Sequence, residues 1–302
     1  MKIISILLLL FVISSNSPHI NIVNPTTNNN NNEIYYTSES NSQGRDIYKM
    51  NADGSKKQKL TQKQGNGHYP HNINPKISPD GSKIVFQSDP DGHDRYTIWT
   101  MDIDGSNLKK ITKKEGMYPN WSPNGEKIIF SGRRNGVWEI ILIPSEGGIE
   151  ELLSDNKNEV TKPGWGAVCS FHPDGKSIVY SHIREKVMYS LNLESKIKKR
   201  LSPKGENFMH PMYSYDGLCI AVNRKKEDVY DLIIMSPEGK ELKVVARSVI
   251  SYSSPSWSTS GDELLFTGNV NGNQEIFKIN LETKEEKQLT NNLEFDAMPT
   301  WN

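Results

Sequence analysis

Apolar and polar residues alternate along this chain in short runs that predict β-strands separated by tight turns. Residues 74–88 contain the clearest example: a short apolar strand ends at Pro79-Asp80-Gly81, and a run of β-branched and aromatic residues follows. Aspartate and glycine at this position favour a tight reversal, so the two strands are predicted to form a hairpin. Alternation of apolar and polar residues over 96–101 predicts a third strand, and the Gly-containing turn at Asp104-Gly105 leads to a fourth strand over residues 108–112.

The same pattern recurs, in whole or in part, six times. Its best marker is the bulky apolar residue just before the first turn, and successive markers are 42 to 50 residues apart. Repeats of about 40 to 50 residues are typical of β-propeller blades. Since no sustained helical periodicity is present, we predict an all-β, six-bladed β-propeller with four-stranded antiparallel blades. The six markers are Ile77, Trp121, Phe171, Tyr213, Trp257 and Trp301.

The two ends of the repeat region complement each other. The first repeat begins at Glu33 and lacks its first strand, whereas the last segment, around Met298 and Trp301, supplies a first strand only. Joining them completes a blade and removes an open sheet edge that would otherwise favour aggregation. We therefore expect the C-terminal strand, residues 297–302, to close the propeller.

The N-terminal region has a different composition. Residues 3–13 are largely apolar and small residues follow, whereas a membrane-spanning helix needs about 20 apolar residues. This pattern predicts a signal peptide over residues 1–17, with an uncleaved anchor as the alternative. Residues 18–32 contain five consecutive asparagines and predict a disordered leader, so the propeller occupies residues 33–302. We expect a secreted or periplasmic protein without stable membrane insertion.

Composition narrows the classes of partner. Lysine plus arginine and aspartate plus glutamate each total 36, so the formal net charge is zero and no nucleic-acid partner is expected.

The chain has two cysteines, Cys169 and Cys219, too few for a disulfide scaffold. Because they occupy different positions in the repeat, we predict two isolated buried thiols, with a single disulfide as the alternative. We expect a monomer.

These repeats resemble the PD40, or WD40-like, repeats of TolB-family propellers. The resemblance covers residues 33–302, with departures where Tyr215 and Thr259 replace the turn proline and where no proline precedes Phe171. It implies that the first strand of each blade lines a central channel and that the fourth lies outside. Bacterial TolB carries an additional N-terminal α/β domain for which we expect no room here, so its envelope partnership is not carried over.

Connections of variable length point to one face of the predicted propeller. They include residues 62–73, 113–117, 155–166, 203–209 and 247–253, and loops of this kind carry function in repeat folds. Aromatic, methionine and imidazole side chains there suit contact with a protein or a glycan, although each could instead pack between blades. The candidate binding residues are His68, Tyr69, His71, Met117, Tyr118, Trp165, His210 and Asp296.

Motifs for catalysis are missing from the sequence. It contains no Gly-x-Ser-x-Gly elbow, His-Glu-x-x-His pair, phosphate-binding glycine loop or Cys-x-x-Cys. We therefore favour a non-catalytic binding module that binds a protein partner. A glycan is the second choice of partner, and no cofactor is expected. The alternative is a polysaccharide lyase or hydrolase, because the related oligogalacturonate lyases hold a metal with channel histidines. His71 and His210 fall on opposite sides of the predicted ring, which disfavours a shared metal.

Overall fold

The structure is a computed structural model that describes residues 33–39, 44–61, 70–90, 93, 95–153, 168–182 and 185–302. Within these residues the regular elements are 24 β-strands, without a helix. The all-β class predicted from the sequence is thus confirmed. The predicted signal peptide and leader, and the candidate residues His68, Tyr69 and Trp165, lie outside the described residues.

Strands that follow one another in sequence pair antiparallel to form units of four, named I to VI. Unit I contains β1 (Glu33–Glu39), β2 (Arg45–Asn51), β3 (Gln58–Lys59) and, from the C-terminus, β24 (Asp296–Trp301). Unit II contains β4 (His71–Ile77), β5 (Lys83–Asp89), β6 (Thr97–Asp102) and β7 (Lys109–Lys110). Unit III contains β8 (Gly116–Trp121), β9 (Lys127–Arg134), β10 (Val137–Pro144) and β11 (Glu151–Leu152).

The remaining chain repeats this arrangement. Unit IV contains β12 (Cys169–Phe171), β13 (Ser177–His182), β14 (Val187–Asn192) and β15 (Lys198–Arg200). Unit V contains β16 (Phe208–Tyr213), β17 (Ile220–Lys226), β18 (Val229–Met235) and β19 (Glu241–Val249). Unit VI contains β20 (Ser256–Trp257), β21 (Glu263–Val270), β22 (Asn273–Asn280) and β23 (Glu286–Gln288).

The first strands of the six units gather about one axis. They contact one another in the order β24, β4, β8, β12, β16 and β20, and β20 in turn contacts β24. Turns such as Pro79-Asp80-Gly81 and Asp104-Gly105 lie at one end of the strands, here called the turn face. The connections from one unit to the next lie at the other end, here called the loop face.

The C-terminal strand pairs with the first strand of the described chain. The register places Ile34 opposite Trp301 and Ser38 opposite Asp296, so β24 completes the sheet of unit I. Apolar residues of the two terminal units also share one buried cluster, in which Tyr36 packs with Leu265 and Leu289. Residues from both ends of the repeat region therefore belong to a common core.

Neighbouring units are also joined by a recurring hydrogen bond. Trp121 Nε1 donates to the carbonyl oxygen of Lys76 in the preceding unit at 3.0 Å, and Trp257 Nε1 donates to that of Met212 at the same distance. A buried indole N–H normally needs such a partner. Trp121 and Trp257 thus fill the space between sheets and bind the adjacent first strand, whereas the buried Nε1 of Trp301 has no hydrogen-bond partner among the described residues.

The two cysteines are free thiols, as predicted. Cys169 is buried in β12, and burial raises the pKa of its thiol. Cys219 is only partly buried, so the prediction that both thiols are buried is wrong for this residue. The reason is its place just after the turn at Gly217, at the edge of the turn face.

In the described part of the chain, no helix is long and apolar enough to cross a membrane.

The position of Trp301 yields a first prediction. Its side chain is 6% exposed between units I and VI, and we expect Trp301→Ala to lower the free energy of unfolding by about 3–5 kcal/mol through lost packing. Urea denaturation followed by circular dichroism measures this change. The control is Leu293→Ala in the preceding loop, where the leucine is fully exposed and a change within about 0.5 kcal/mol is expected. Equal effects of the two substitutions would contradict this account of the C-terminal strand.

Candidate functional site

Six side chains at one repeat position meet at the axis. They lie three residues before each marker, are all buried, and form what we call the axial ring. In four of the six units this residue has φ between 55° and 58° and precedes a proline. Left-handed backbone is uncommon for residues such as tyrosine and histidine and indicates a structural constraint. The axial ring consists of Asn74, Tyr118, Val168, His210, Ser254 and Met298.

The unusual backbone coincides with a β-bulge in each of those four first strands. Pairing shifts register between Ile73 and Lys76 in β4, and at the equivalent places in β8, β16 and β24. A bulge adds one residue to a strand and redirects its side chains. The freed backbone N–H finds a partner in the preceding unit: Tyr118 N donates to Gln87 Oε1 at 2.7 Å, and Asn74 N donates to Thr37 Oγ1 at 3.0 Å.

Contacts within the axial ring fill the axis at this level. The Tyr118 and His210 rings meet edge to face with centroids 5.5 Å apart, although they belong to units III and V. His210 Nδ1 lies 3.1 Å from Ser254 Oγ, within hydrogen-bonding distance. Val168 and Met298 pack in the same apolar cluster as Tyr118. The middle of the axis is therefore a packed core.

Burial controls the ionisation of this core. Burial, with a smaller contribution from the nearby positive charge of Lys76, lowers the pKa of His210 to about 3. Burial also raises the pKa of Tyr118. Both rings are therefore neutral at physiological pH, and His210 acts there as a packed hydrogen-bonding group.

A second ring lies closer to the turn face, one residue before each marker. We call it the donor ring because five of its six side chains carry an N–H or O–H group, and it includes no acidic residue. Lys76 is 6% exposed, whereas Asn120 and Met212 are partly exposed. The donor ring consists of Lys76, Asn120, Ser170, Met212, Ser256 and Thr300.

Partly buried aromatic side chains cover the axis at the loop face. Trp138, Tyr252 and Phe295 pack against the apolar cluster that contains Tyr118, and we call these three residues the aromatic mouth. The Arg45 guanidinium lies over the Phe295 ring, with its carbon 4.3 Å from the ring centroid. Aromatic and arginine side chains are the residue types enriched at protein interfaces.

Asp296 lies at the start of β24 and is 1% exposed. Burial raises its carboxyl pKa, and the nearby charge of Glu275 contributes in the same direction, whereas hydrogen bonds from Ser38 and Asn292 and the charge of Lys57 oppose it. Asn292 Nδ2 donates to Asp296 Oδ2 at 2.8 Å. This carboxyl group thus anchors the loop that precedes the C-terminal strand.

The candidate residues from the sequence separate into three groups in the structure. Tyr118 and His210 are brought together, and Met117 shares the apolar cluster of Tyr118. His71, at the start of β4, is partly exposed at the loop face, and Asp296 is buried at the start of β24. His68, Tyr69 and Trp165 lie outside the described residues.

Sequence reasoning missed the aromatic mouth and Lys76. Trp138, Tyr252 and Phe295 occupy three different positions of the repeat, so no common spacing marks them. Lys76 could have been found from the sequence. It is a lysine at an inner-strand position where the other repeats carry small polar residues or methionine. Within the described ranges, no three His, Cys, Asp or Glu side chains are placed to hold a metal ion.

Repeated four-stranded sheets about one axis define the class of β-propellers. Comparison with known families is more specific, because the PD40 family, the TolB β-propeller domain, matches residues 15–169, about half of the chain. The chain therefore belongs to the TolB-like β-propeller family.

Individual relatives agree with this assignment. The chain is 30% identical over 152 residues to the Tol-Pal system protein TolB of Anaeromyxobacter dehalogenans, covering 50% of this chain and 32% of that protein. The crystal structure of TolB from Acinetobacter baumannii superposes with a TM-score of 0.77 at 19% identity, covering 89% of this chain and 66% of that one. An oligogalacturonate lyase in complex with manganese superposes with a TM-score of 0.51 at 16% identity. The match covers 86% of this chain and 74% of the lyase chain.

Sequence similarity to these relatives is partial. The chain spans less than half the length of the curated relatives it matches, with matched shares between 22% and 48%. These two structural matches, both below 25% identity, establish the fold alone.

Buried His210 predicts a specific pH dependence of stability. Its pKa in the folded state, about 3, is below the unfolded value of about 6.5, so only the unfolded chain takes up a proton as the pH falls below 6.5. Stability from this residue is complete above pH 6.5 and is lost as the pH falls toward 3, by about 1.4 kcal/mol per pH unit. We expect His210→Asn to remove this slope in urea titrations between pH 6.5 and 5.

Ser254→Ala provides the matched control for this experiment. It removes the hydroxyl beside His210 Nδ1 but leaves the imidazole buried, so the free energy of unfolding should fall while the pH slope persists. A His210→Asn protein with the wild-type slope would contradict the burial argument.

Proposed function

We propose that this chain is a six-bladed propeller closed by β24 that acts outside the cytoplasm as a non-catalytic binding module. It holds a partner protein at the aromatic mouth on the loop face. The TolB-like family, in which the curated relatives include Tol-Pal system proteins, supports a binding role. The N-terminal signal pattern supports export, to the periplasm or to the medium.

The proposal of six blades rests on strand pairing and contact order. Six units of four strands are arranged in sequence, and β20 of the last unit contacts β24, which pairs with β1. Each unit is equated with one blade. In a closed arrangement of this kind the outer strands are the remaining edges, and in five of the six units they have only two or three residues, which favours a protein that stays monomeric.

The aromatic mouth is the single observation that carries the binding role. Tyr252 and Phe295 are partly exposed at the end of the axis, and their inner edges pack against a rigid core. Such side chains lose little conformational entropy on binding and provide both apolar area and a polar edge. Arg45 lies beside Phe295 and pairs with Glu39 through Nε, at 3.3 Å, and its remaining guanidinium N–H groups can bond a partner's carboxylate.

Site-specific photo-crosslinking tests this proposal. A photoreactive phenylalanine analogue is introduced at position 252 or 295 in producing cells, and adducts are identified by mass spectrometry. We expect one recurrent protein adduct from both positions. The control is position 218 on the turn face, where Leu218 is 69% exposed and no such adduct is expected. Adducts from position 218 but not from positions 252 and 295 would place the interface elsewhere.

Affinity measurements with the identified partner then show how much of the binding free energy comes from the aromatic mouth. We expect Tyr252→Ala to weaken binding at least tenfold, about 1.4 kcal/mol, because interface aromatics near the centre of a patch dominate binding. Leu218→Ala should leave the affinity unchanged. An unchanged affinity for Tyr252→Ala, with the fold intact by circular dichroism, would contradict the role of the mouth.

A second candidate function is a metal-dependent lyase that acts on an acidic polysaccharide, with a glycan in place of the protein partner. Its support is the likeness in fold to the oligogalacturonate lyase bound to manganese. Release of unsaturated oligosaccharides from polygalacturonate in the presence of manganese would establish this function. Absence of product, together with the crosslinked protein, would exclude it in favour of the binding module.

A further inference from the structure

Lys76 has an exceptional environment for a lysine. Its side chain is 6% exposed in the first strand of unit II, and within the described residues its Nζ makes no hydrogen bond or ion pair. The backbone of Lys76 does have a partner, because its carbonyl oxygen accepts a hydrogen bond from Trp121 Nε1. Almost all buried ammonium groups in proteins are paired, because an isolated buried charge is costly.

Burial alone lowers the pKa of Lys76 to about 8, so the ammonium form still predominates at neutral pH. His210, the ionisable residue that faces it from the axial ring, is neutral there because its own pKa is lowered to about 3. The axis therefore contains a net positive charge with no neutralising group from the described residues. A small anion at Nζ would remove most of this cost.

The surrounding donor ring is arranged for an acceptor. Ser170 Oγ already accepts the backbone N–H of Tyr213 at 3.2 Å, and Ser256 Oγ accepts that of Trp301 at 3.2 Å. The O–H of Ser256 is therefore left to donate, whereas that of Ser170 makes a long bond, 3.4 Å, to the carbonyl oxygen of Phe171. Asn120 Nδ2 has only long contacts, 3.4 Å to the carbonyl oxygen of Cys169 and 4.0 Å to Met212 Sδ. An amide N–H of Asn120 is therefore available as well.

The burial of the residues around Lys76 favours approach of a ligand from the turn face. Toward the loop face, the axial ring is closed by the contact between Tyr118 and His210. Toward the turn face, Asn120 and Met212 are partly exposed, as is Ile77. A ligand would reach Nζ past these three side chains.

We propose that the donor ring is a binding site for a carboxylate, entered from the turn face, with Lys76 Nζ as its cationic partner. Asn120 Nδ2 and the hydroxyl group of Ser256 complete the set of donors. The site lies at the end of the axis opposite the aromatic mouth and is independent of the protein interaction proposed there. The carboxylate belongs either to a small molecule or to the end of a peptide chain.

Nuclear magnetic resonance of the full mature chain tests the site. Lysine is labelled with 13C at Cε, the Lys76 signal is assigned by its loss in Lys76→Met, and acetate is added. We expect a saturable shift of the Lys76 signal in the millimolar range, and no shift with acetamide, which lacks the charge. Absence of a saturable shift, or an equal shift with acetamide, would overturn the proposal.

Variants separate binding from a general effect of salt. Acetate should raise the melting temperature of the wild-type protein and of the control Lys225→Met, in which an exposed lysine is replaced. The same acetate concentrations should leave Lys76→Met unchanged, and Lys76→Arg should retain the effect because it keeps the cation. Stabilisation of Lys76→Met equal to that of the wild type would also overturn the proposal.

Two peptides identify the source of the carboxylate. Acetyl-trialanine with a free C-terminal carboxylate is compared with its C-terminal amide in the same titration. Binding of the free acid at least tenfold tighter than acetate, and no binding of the amide, assigns the site to a chain terminus. Free-acid affinity no greater than that of acetate assigns it to a small carboxylate. Binding of the amide as strong as that of the free acid would contradict carboxylate recognition.

Discussion

Packing of six first strands about one axis is the constraint on which the rest of the structure depends. The space there is limited, and each unit contributes one side chain to the axial ring, from the bulky Tyr118 to the small Ser254. Four of these residues accept left-handed backbone so that a bulge can direct the strand toward the axis. The N–H groups that the bulges release bond to polar side chains of the preceding unit, such as Gln87. Packing and hydrogen bonding at the axis therefore hold neighbouring units in a fixed relation.

The axis divides the surface into two chemically different ends. At the loop face, apolar packing continues outward to partly exposed aromatic rings, with Arg45 as the nearest cation. At the turn face, the next layer consists of hydrogen-bond donors around the buried ammonium group of Lys76. Because the packed middle layer separates them, the two ends can recognise different ligands. An apolar and aromatic surface suits a protein partner, whereas an unpaired cation with donors suits a carboxylate.

Much of the architecture was accessible from the repeat alone. The marker residues correctly predict where first strands lie, and even the irregular repeat at Phe171, which lacks the preceding proline, forms a strand of three residues. The candidate site was less accessible. The nearness of Tyr118 and His210 to variable connections predicts that they lie at the loop face, whereas the structure places both in the buried axial ring. A bulge that requires positive φ at a tyrosine or histidine leaves no glycine or asparagine in the sequence to indicate it.

The sequence by itself determined the all-β class, the repeat of four strands and the complementarity of the chain ends, because alternation, turn residues and spacing are local properties. Only the tertiary structure decided which side chains meet on the axis and which lysine is left without a partner. Those features depend on contacts between units that are about 40 residues or more apart in the chain, as between Tyr118 and His210. Burial of Lys76, likewise, results from the combined packing of strands from several units, which no single repeat encodes.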